Sequence, residues 1–277
     1  MDEIDRSTFK QETSGPGSPR LAQAALLFAR EIAYPSLRPS IWLARLDDWA
    51  SLALPLCPPD GTALDRAQRL AEFLFGEIGL RGNTEAYYDP RNSLLNEVIA
   101  RGVGLPISLS VIFIEVADRL GFPVEGVGLP GHFVVAVHSE GARYLLDPFH
   151  HGALIEDEDL EDLLARATGY VRPVQPEWLQ PVAPAAILTR MLFNLREAYV
   201  RLEDWPASLA TVEQLRILQP ESVELVRDLG ILQYRKGSLR LASSYLQEYL
   251  SRRPDAADAG QVRLTLDALL AQIARLN

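Results

Sequence analysis

The order of apolar and polar positions divides this 277-residue chain into a mixed first part and an all-helical second part. Helical spacing begins over residues 21–33, after Ser18-Pro19, which reads as a cap followed by a first-turn proline. Over 41–53, with Ser40 as the cap, Trp42, Leu46, Trp49 and Ala53 recur at helical spacing and predict one buried stripe. Pro55, Pro58, Pro59 and Gly61 then break the chain around Cys57. A third amphipathic helix is predicted over 63–78, a polar loop over 79–91 and a short helix over 93–100.

Residues 107–120 are apolar almost all round, and a helix of that kind must have neighbours on several sides. Ser108 falls in its first turn, where free N–H groups and the positive end of the helix dipole lie. Gly121-Phe122-Pro123 stops the helix. A short strand follows over 124–129, and segments 132–138 and 143–147 read as a hairpin. Taking Ser139-Glu140 as a two-residue turn sets His132 opposite Asp147, with their Cβ atoms roughly 4.5–5.5 Å apart on one face. Six acids in the seven positions from Glu156 to Asp162 predict the first turns of a surface helix.

Pro173, Pro176, Pro181 and Pro184 mark 173–184 as a linker, which Trp178 is expected to pin to one domain or the other. Beyond it the pattern is helical to the last residue. Pro220 and Pro254 stand 34 positions apart, the period of tetratricopeptide repeats. Leu229, Gly230, Ala242, Leu246 and Tyr249 fill the second repeat. The first fits less well, with Arg196 where the second has Gly230, and 257–276 supplies a capping helix.

Charge changes this picture in one respect. The net charge is −10, and residues 184–277 hold 12 Lys and Arg against 11 Asp and Glu, leaving 15 against 26 in residues 1–183. An acidic chain of this kind is not expected to bind nucleic acid, whose backbone is held by clustered cations. A single cysteine excludes an intrachain disulfide and a multi-cysteine zinc site, as in a reducing compartment. No apolar run reaches the roughly 18 residues of a membrane span, and residues 1–20 read as a flexible, charged tail rather than a signal peptide. The expectation is a cytoplasmic protein.

The candidate chemistry lies in His132 and Asp147. A carboxylate that orients an imidazole, which in turn serves a nucleophile at a helix N-terminus, is the logic of a catalytic triad. His150 and His151, with His132, His138 and nearby acids, offer ligands for a metal ion, but their spacing matches none of the familiar His/carboxylate patterns, so neither a metal nor a cofactor is expected. Gly126, Gly128 and Gly131 lack the following helix that a nucleotide loop needs.

Four motifs carry a resemblance: Asn92-Ser93-Leu94-Leu95-Asn96, Gly104-Leu105-Pro106-Ile107-Ser108-Leu109-Ser110, Gly128-Leu129-Pro130-Gly131-His132-Phe133 and Leu146-Asp147-Pro148-Phe149. Together they resemble the SirB1 family of bacterial proteins, which joins a transglutaminase-like, papain-like domain to tetratricopeptide repeats. The resemblance implies an α+β fold: a transglutaminase-like domain with a small antiparallel sheet over 21–172, then an all-α repeat domain over 185–277. His132 and Asp147 match the superfamily's catalytic histidine and aspartate. Its cysteine falls near Pro106, where this chain has no thiol, and Ser108 is the nearby hydroxyl. Ser108, His132 and Asp147 are therefore the candidate catalytic set, read as vestigial. The expected function is a pseudoenzyme that binds a protein or peptide partner through its repeats. The alternative is a hydrolase or peptidase using Ser108 or another nucleophile, and oligomeric state is left open.

Overall fold

The computed structural model describes residues 3–15, 17–169 and 173–276. The chain forms two compact units, Met1–Met191 and Leu192–Asn277, with the division inside a helix rather than at the proline-rich segment.

The first unit is built around the helix predicted at 107–120. Helix α7 (Pro106–Arg119) begins with proline in its first turn, and Pro106 through Phe113 are all buried. Around it pack α3 (Leu21–Ile32), α4 (Pro39–Ala53), α5 (Ala63–Ala71) and α6 (Leu95–Arg101). Each large apolar side chain taken fully out of water contributes roughly 1.5–3 kcal/mol, which is why an all-round apolar helix settles at the centre. Its single buried-side acid is satisfied twice, because Glu115 accepts from the Ala22 backbone N–H at 2.8 Å and pairs with Arg119 at 2.6 Å.

Strands β3 (Glu125–Val127), β4 (Val134–Ser139), β5 (Ala142–Asp147) and β6 (Ala153–Ile155) form an antiparallel sheet in chain order. A second, two-stranded parallel pair joins β1 (Arg81–Gly82) to β2 (Val103–Gly104). Helix α8 (Asp157–Thr168) packs Leu160, Leu163 and Leu164 onto Val127, Leu129 and Val134.

Several expectations are corrected. The hairpin turn is Glu140-Gly141, both at positive φ, and Ser139 pairs with Ala142. The register therefore sets Val135 opposite Leu146 and leaves His132 outside β4, two residues from the position facing Asp147. Because the slip is by two, His132 stays on the face it was assigned.

The described part of residues 1–20 is docked rather than loose. Helices α1 (Glu3–Arg6) and α2 (Phe9–Ser14) bring Phe9, fully buried, edge-on to Phe28 at 6.0 Å, while Asp5 accepts from the Ser40 backbone and hydroxyl at 3.0 and 2.9 Å. Ser40 thus does not cap α4, which starts two residues earlier than expected, at Pro39 behind Arg38. The helix expected over 63–78 opens into a π turn at Glu72–Glu77, where Phe73, Leu74 and Phe75 are buried in succession.

Residues 173–184, expected as a linker that Trp178 pins to one domain or the other, lie against the first unit. The Val182 N–H donates to Gly126 O at 2.8 Å, Pro181 bridges to Val127, and Trp178 packs on the α8 cluster. Residues 170–172 lie outside the described residues.

In the second unit, the end of α9 (Pro184–Arg201) is followed by α10 (Trp205–Leu218), α11 (Val223–Arg235), α12 (Leu239–Arg252) and α13 (Ala259–Leu276). Pro220 and Pro254 each stand two residues beyond a helix, α10 and α12 in turn, which is the structural form of the 34-residue spacing. A Cβ on Gly230 would meet Leu246 Cδ2 at 2.5 Å, so only glycine lets these helices approach. Arg196, at the matching position of the first repeat, turns aside to pair with Asp228 and lies over the Phe193 ring.

Candidate functional site

The site forms where the turn before β4 meets the end of β5. Gly131 takes φ +67°, and a Cβ there would fall 2.6 Å from Thr168 Cγ2. The turn is then held from outside: the Arg190 guanidinium donates to Leu129 O at 2.8 Å and to His132 O at 2.6 Å. The backbone of His132 is thereby fixed before its side chain makes any contact.

Asp147 ends β5 and caps the short 3-10 turn Pro148–His150. Its Oδ1 accepts from the backbone N–H of Phe149 at 2.9 Å and, more weakly, from that of His150 at 3.4 Å. Its Oδ2 accepts from His132 Nε2 at 2.8 Å and from His150 Nδ1 at 2.7 Å. Burial alone would raise the Asp147 carboxyl, but hydrogen bonding from His132 and then from His150 outweighs it and holds the group below the usual carboxylate value. An ionised carboxylate only accepts, so both imidazole nitrogens facing it carry protons. The Phe149 ring closes the side of the pair, edge-on to His132 at 5.9 Å, and His150 stacks on His132 at 5.8 Å.

Ser108 is placed differently. Its hydroxyl donates to Asn92 O at 2.7 Å, lies 3.1 Å from Leu105 O, and accepts from the Leu105 N–H at 2.9 Å. A single hydroxyl proton is thus already used, and the side chain closes the first turn of α7 while tying it to the segment before α6. Among the described residues no hydrogen bond joins Ser108 to His132. Exposure is 0% for Ser108, 6% for His132 and 2% for Asp147, so substrate has little direct access to this set.

Cys57 lies apart from it. The thiol is fully buried, contacts Arg66 O at 3.5 Å, and is pushed up by burial against the opposing charges of Arg66 and Arg69. A thiol so placed is a poor nucleophile.

Asn92, conspicuous in sequence but without an assigned role there, is the staple of the loop it ends. Its side-chain amide donates to Ala86 O and Tyr87 O, and its Oδ1 accepts from Asn83 at 3.0 Å. His150, weighed in sequence only as a metal-ligand candidate, is the partner of Asp147 that sequence reasoning did not assign. The available signal was Asp147-Pro148, since a carboxylate capping a tight turn brings the side chain three positions on back to itself. His138 pairs with Glu125 at 3.1 Å on the exposed edge, away from Asp147.

Comparison with known proteins agrees with this architecture. A transglutaminase-like superfamily profile matches residues 41–193, and a tetratricopeptide-repeat profile matches 195–267. A UPF0162 protein of Xylella fastidiosa is 35% identical over 83% of this chain and 84% of its own length. Protein SirB1 of Salmonella typhimurium is 22% identical over 74% of this chain and 76% of its own. The chain belongs to the SirB1 family, in which a transglutaminase-like domain precedes tetratricopeptide repeats. A crystal structure of menin shares 14% identity with a TM-score of 0.43, covering 94% of this chain and 68% of menin, too slight a likeness to define a common fold.

Proposed function

We propose that this protein is a non-catalytic member of the transglutaminase-like fold that works as a protein-binding or regulatory module through its repeats. The observation that carries the reading is the state of the α7 N-terminus. Where the superfamily's nucleophile would stand, the chain has Leu105-Pro106, and the nearby hydroxyl of Ser108 is spent on Asn92 and Leu105. The superfamily's general base is still oriented by its carboxylate, but among the described residues its ring makes no hydrogen bond to a hydroxyl or thiol.

The repeat unit supports the binding half of the reading. A cavity of about 460 Å³ opens on it, lined by apolar Phe193, Trp205, Ile231 and Leu232. The pairs Arg196–Asp228 and Arg235–Trp205 edge it. An apolar lining with a charged rim suits a peptide segment that inserts an apolar side chain. The net charge of −10 speaks against a nucleic-acid partner, and no helix among the described residues is long and apolar enough to cross a membrane. A lone thiol fits the reducing cytoplasm, where we place the protein.

A hydrolase reading is favoured by one observation, the 2.8 Å bond between His132 and Asp147. The two readings part in a simple assay. The purified chain is expected to leave small esters and peptides at the background rate. Ser108→Ala is expected to change stability only, by roughly 0.5–1.5 kcal/mol, because the Leu105 N–H and Asn92 carbonyl lose the hydroxyl and keep only their own 3.3 Å bond. Turnover above background that Ser108→Ala abolishes while the variant remains folded at the assay temperature would establish the serine triad and end the pseudoenzyme reading.

A further inference from the structure

His132, Asp147 and His150 bring two imidazoles and one carboxylate to a single point. Their ligand atoms, Nε2, Oδ2 and Nδ1, all lie within 4.8 Å of one another. We propose that this cluster is a binding site for a divalent transition-metal ion of the zinc class.

The chemistry of the donor set selects the ion. Two neutral imidazoles with one carboxylate suit a borderline cation such as Zn²⁺ rather than Ca²⁺ or Mg²⁺, which take oxygen ligands. Three protein donors leave a fourth position open, and the orientation of the cluster supplies it. His132 and Asp147 face inward, with side chains 7% and 3% exposed, whereas the His150 side chain is 58% exposed. A ligand would therefore enter from the His150 side, and water or another small donor would complete the coordination there.

The outer contacts are those that a metal site needs. Asp147 Oδ1 is held by backbone N–H groups, so that Oδ2 is presented to the two histidines in a fixed direction. Arg190 fixes the backbone of His132 through its carbonyl. His150 follows directly on the 3-10 turn capped by that same carboxylate, and His151 beyond it takes φ +60°, which turns the chain away. One short segment, Asp147 to His150, thus supplies two donors, and the packed turn before β4 supplies the third.

At present each imidazole presents an N–H to Oδ2. Coordination needs both nitrogens unprotonated, so each proton moves to the other ring nitrogen or to water as the ion takes its place. The donor atoms then spread around the ion from their hydrogen-bonded separations of 2.8 and 2.7 Å. That displacement falls mainly on the exposed His150 ring. The site is independent of what the repeats bind, so failure here leaves the partner-binding reading standing, and failure there leaves the metal site untouched.

The test is titration of the untagged, metal-free full chain with ZnCl₂ by calorimetry, together with thermal melts with and without zinc. Wild type is expected to take up one equivalent and to melt higher with zinc, since an ion that binds only the folded chain stabilises it. His150→Gln, at an exposed position, is expected to remain folded, with at most a small drop in metal-free melting temperature from the lost bond to Asp147, while losing at least about tenfold in affinity and most of the zinc-induced rise. His151→Gln, the neighbour outside the cluster, is expected to match wild type in both. Absence of saturable uptake, uptake that survives His150→Gln unchanged, or equal weakening by His151→Gln would each overturn the site.

Discussion

The two units are held together over different distances along the chain. In the repeat unit the side-chain bonds that tie helices together span about one repeat: Arg196 reaches Asp228 across 32 positions, and Arg227 reaches Asp258 across 31. In the transglutaminase-like unit, Glu115 holds the Ala22 N–H across 93 positions and Arg66 holds Leu120 O across 54. The first arrangement is a sum of neighbouring contacts, so that damage stays near its source. The second wraps many elements around α7, so that a fault at the centre reaches all of them.

The largest effect that tests this contrast is a cavity at the centre of α7. Phe113 is fully buried and stacks near Phe75 with ring centroids 6.3 Å apart. Phe113→Ala is expected to cost roughly 3–5 kcal/mol and to remove the melting transition of the first unit. The helical signal of α10–α13 should survive in the same sample, read by circular dichroism and calorimetry. Loss of both transitions together would break the contrast.

Gly230→Ala asks the same question of the repeats. Its new Cβ would stand 2.5 Å from Leu246 Cδ2 and 3.2 Å from the Leu246 backbone nitrogen, so α11 and α12 must separate. A cost of roughly 1–3 kcal/mol is expected. It should lower the repeat unit's transition and leave the first unit's in place. Hydrogen exchange would show faster opening in α11 and α12 with α7 unaffected.

The same difference decides what could be read from sequence. Repeat spacing is local, and the Pro220–Pro254 period located the helix pairs and the role of Gly230 without reference to anything distant. The apolar run at 107–120 was equally legible, because a helix greasy on all sides can only be central. What escaped were features set by a remote partner. The pairing of Arg81–Gly82 with Val103–Gly104 joins segments separated by α6 and carries no strand pattern of its own. Ser40 looked like a cap, but its hydroxyl and backbone N–H are taken by Asp5. His132 and Asp147 were paired in sequence through a register that was wrong by two, and the contact survives because side chains alternate with period two. The bond of His150 to Asp147 escaped because it comes from a turn geometry rather than from strand alternation.

That register is the subject of the smallest expected effect. Glu140 and Gly141 form the two-residue turn with φ of 52° and 82°, a type I′ arrangement in which asparagine followed by glycine is preferred. Glutamate pays for the left-handed conformation with its Cβ, and its exposed side chain has no packing to lose. Glu140→Asn is therefore expected to stabilise the first unit by roughly 0.5–1 kcal/mol, a rise of about 1–4 °C in its melting temperature. The repeat unit's transition should not move. If the turn helps to set the register, the gain appears as slower hydrogen exchange in β4 and β5, the strands that carry His132's turn and Asp147. An unchanged or lowered melting temperature would mean that burial of Val135, Val137 and Leu146 fixes the register alone and that the turn merely follows.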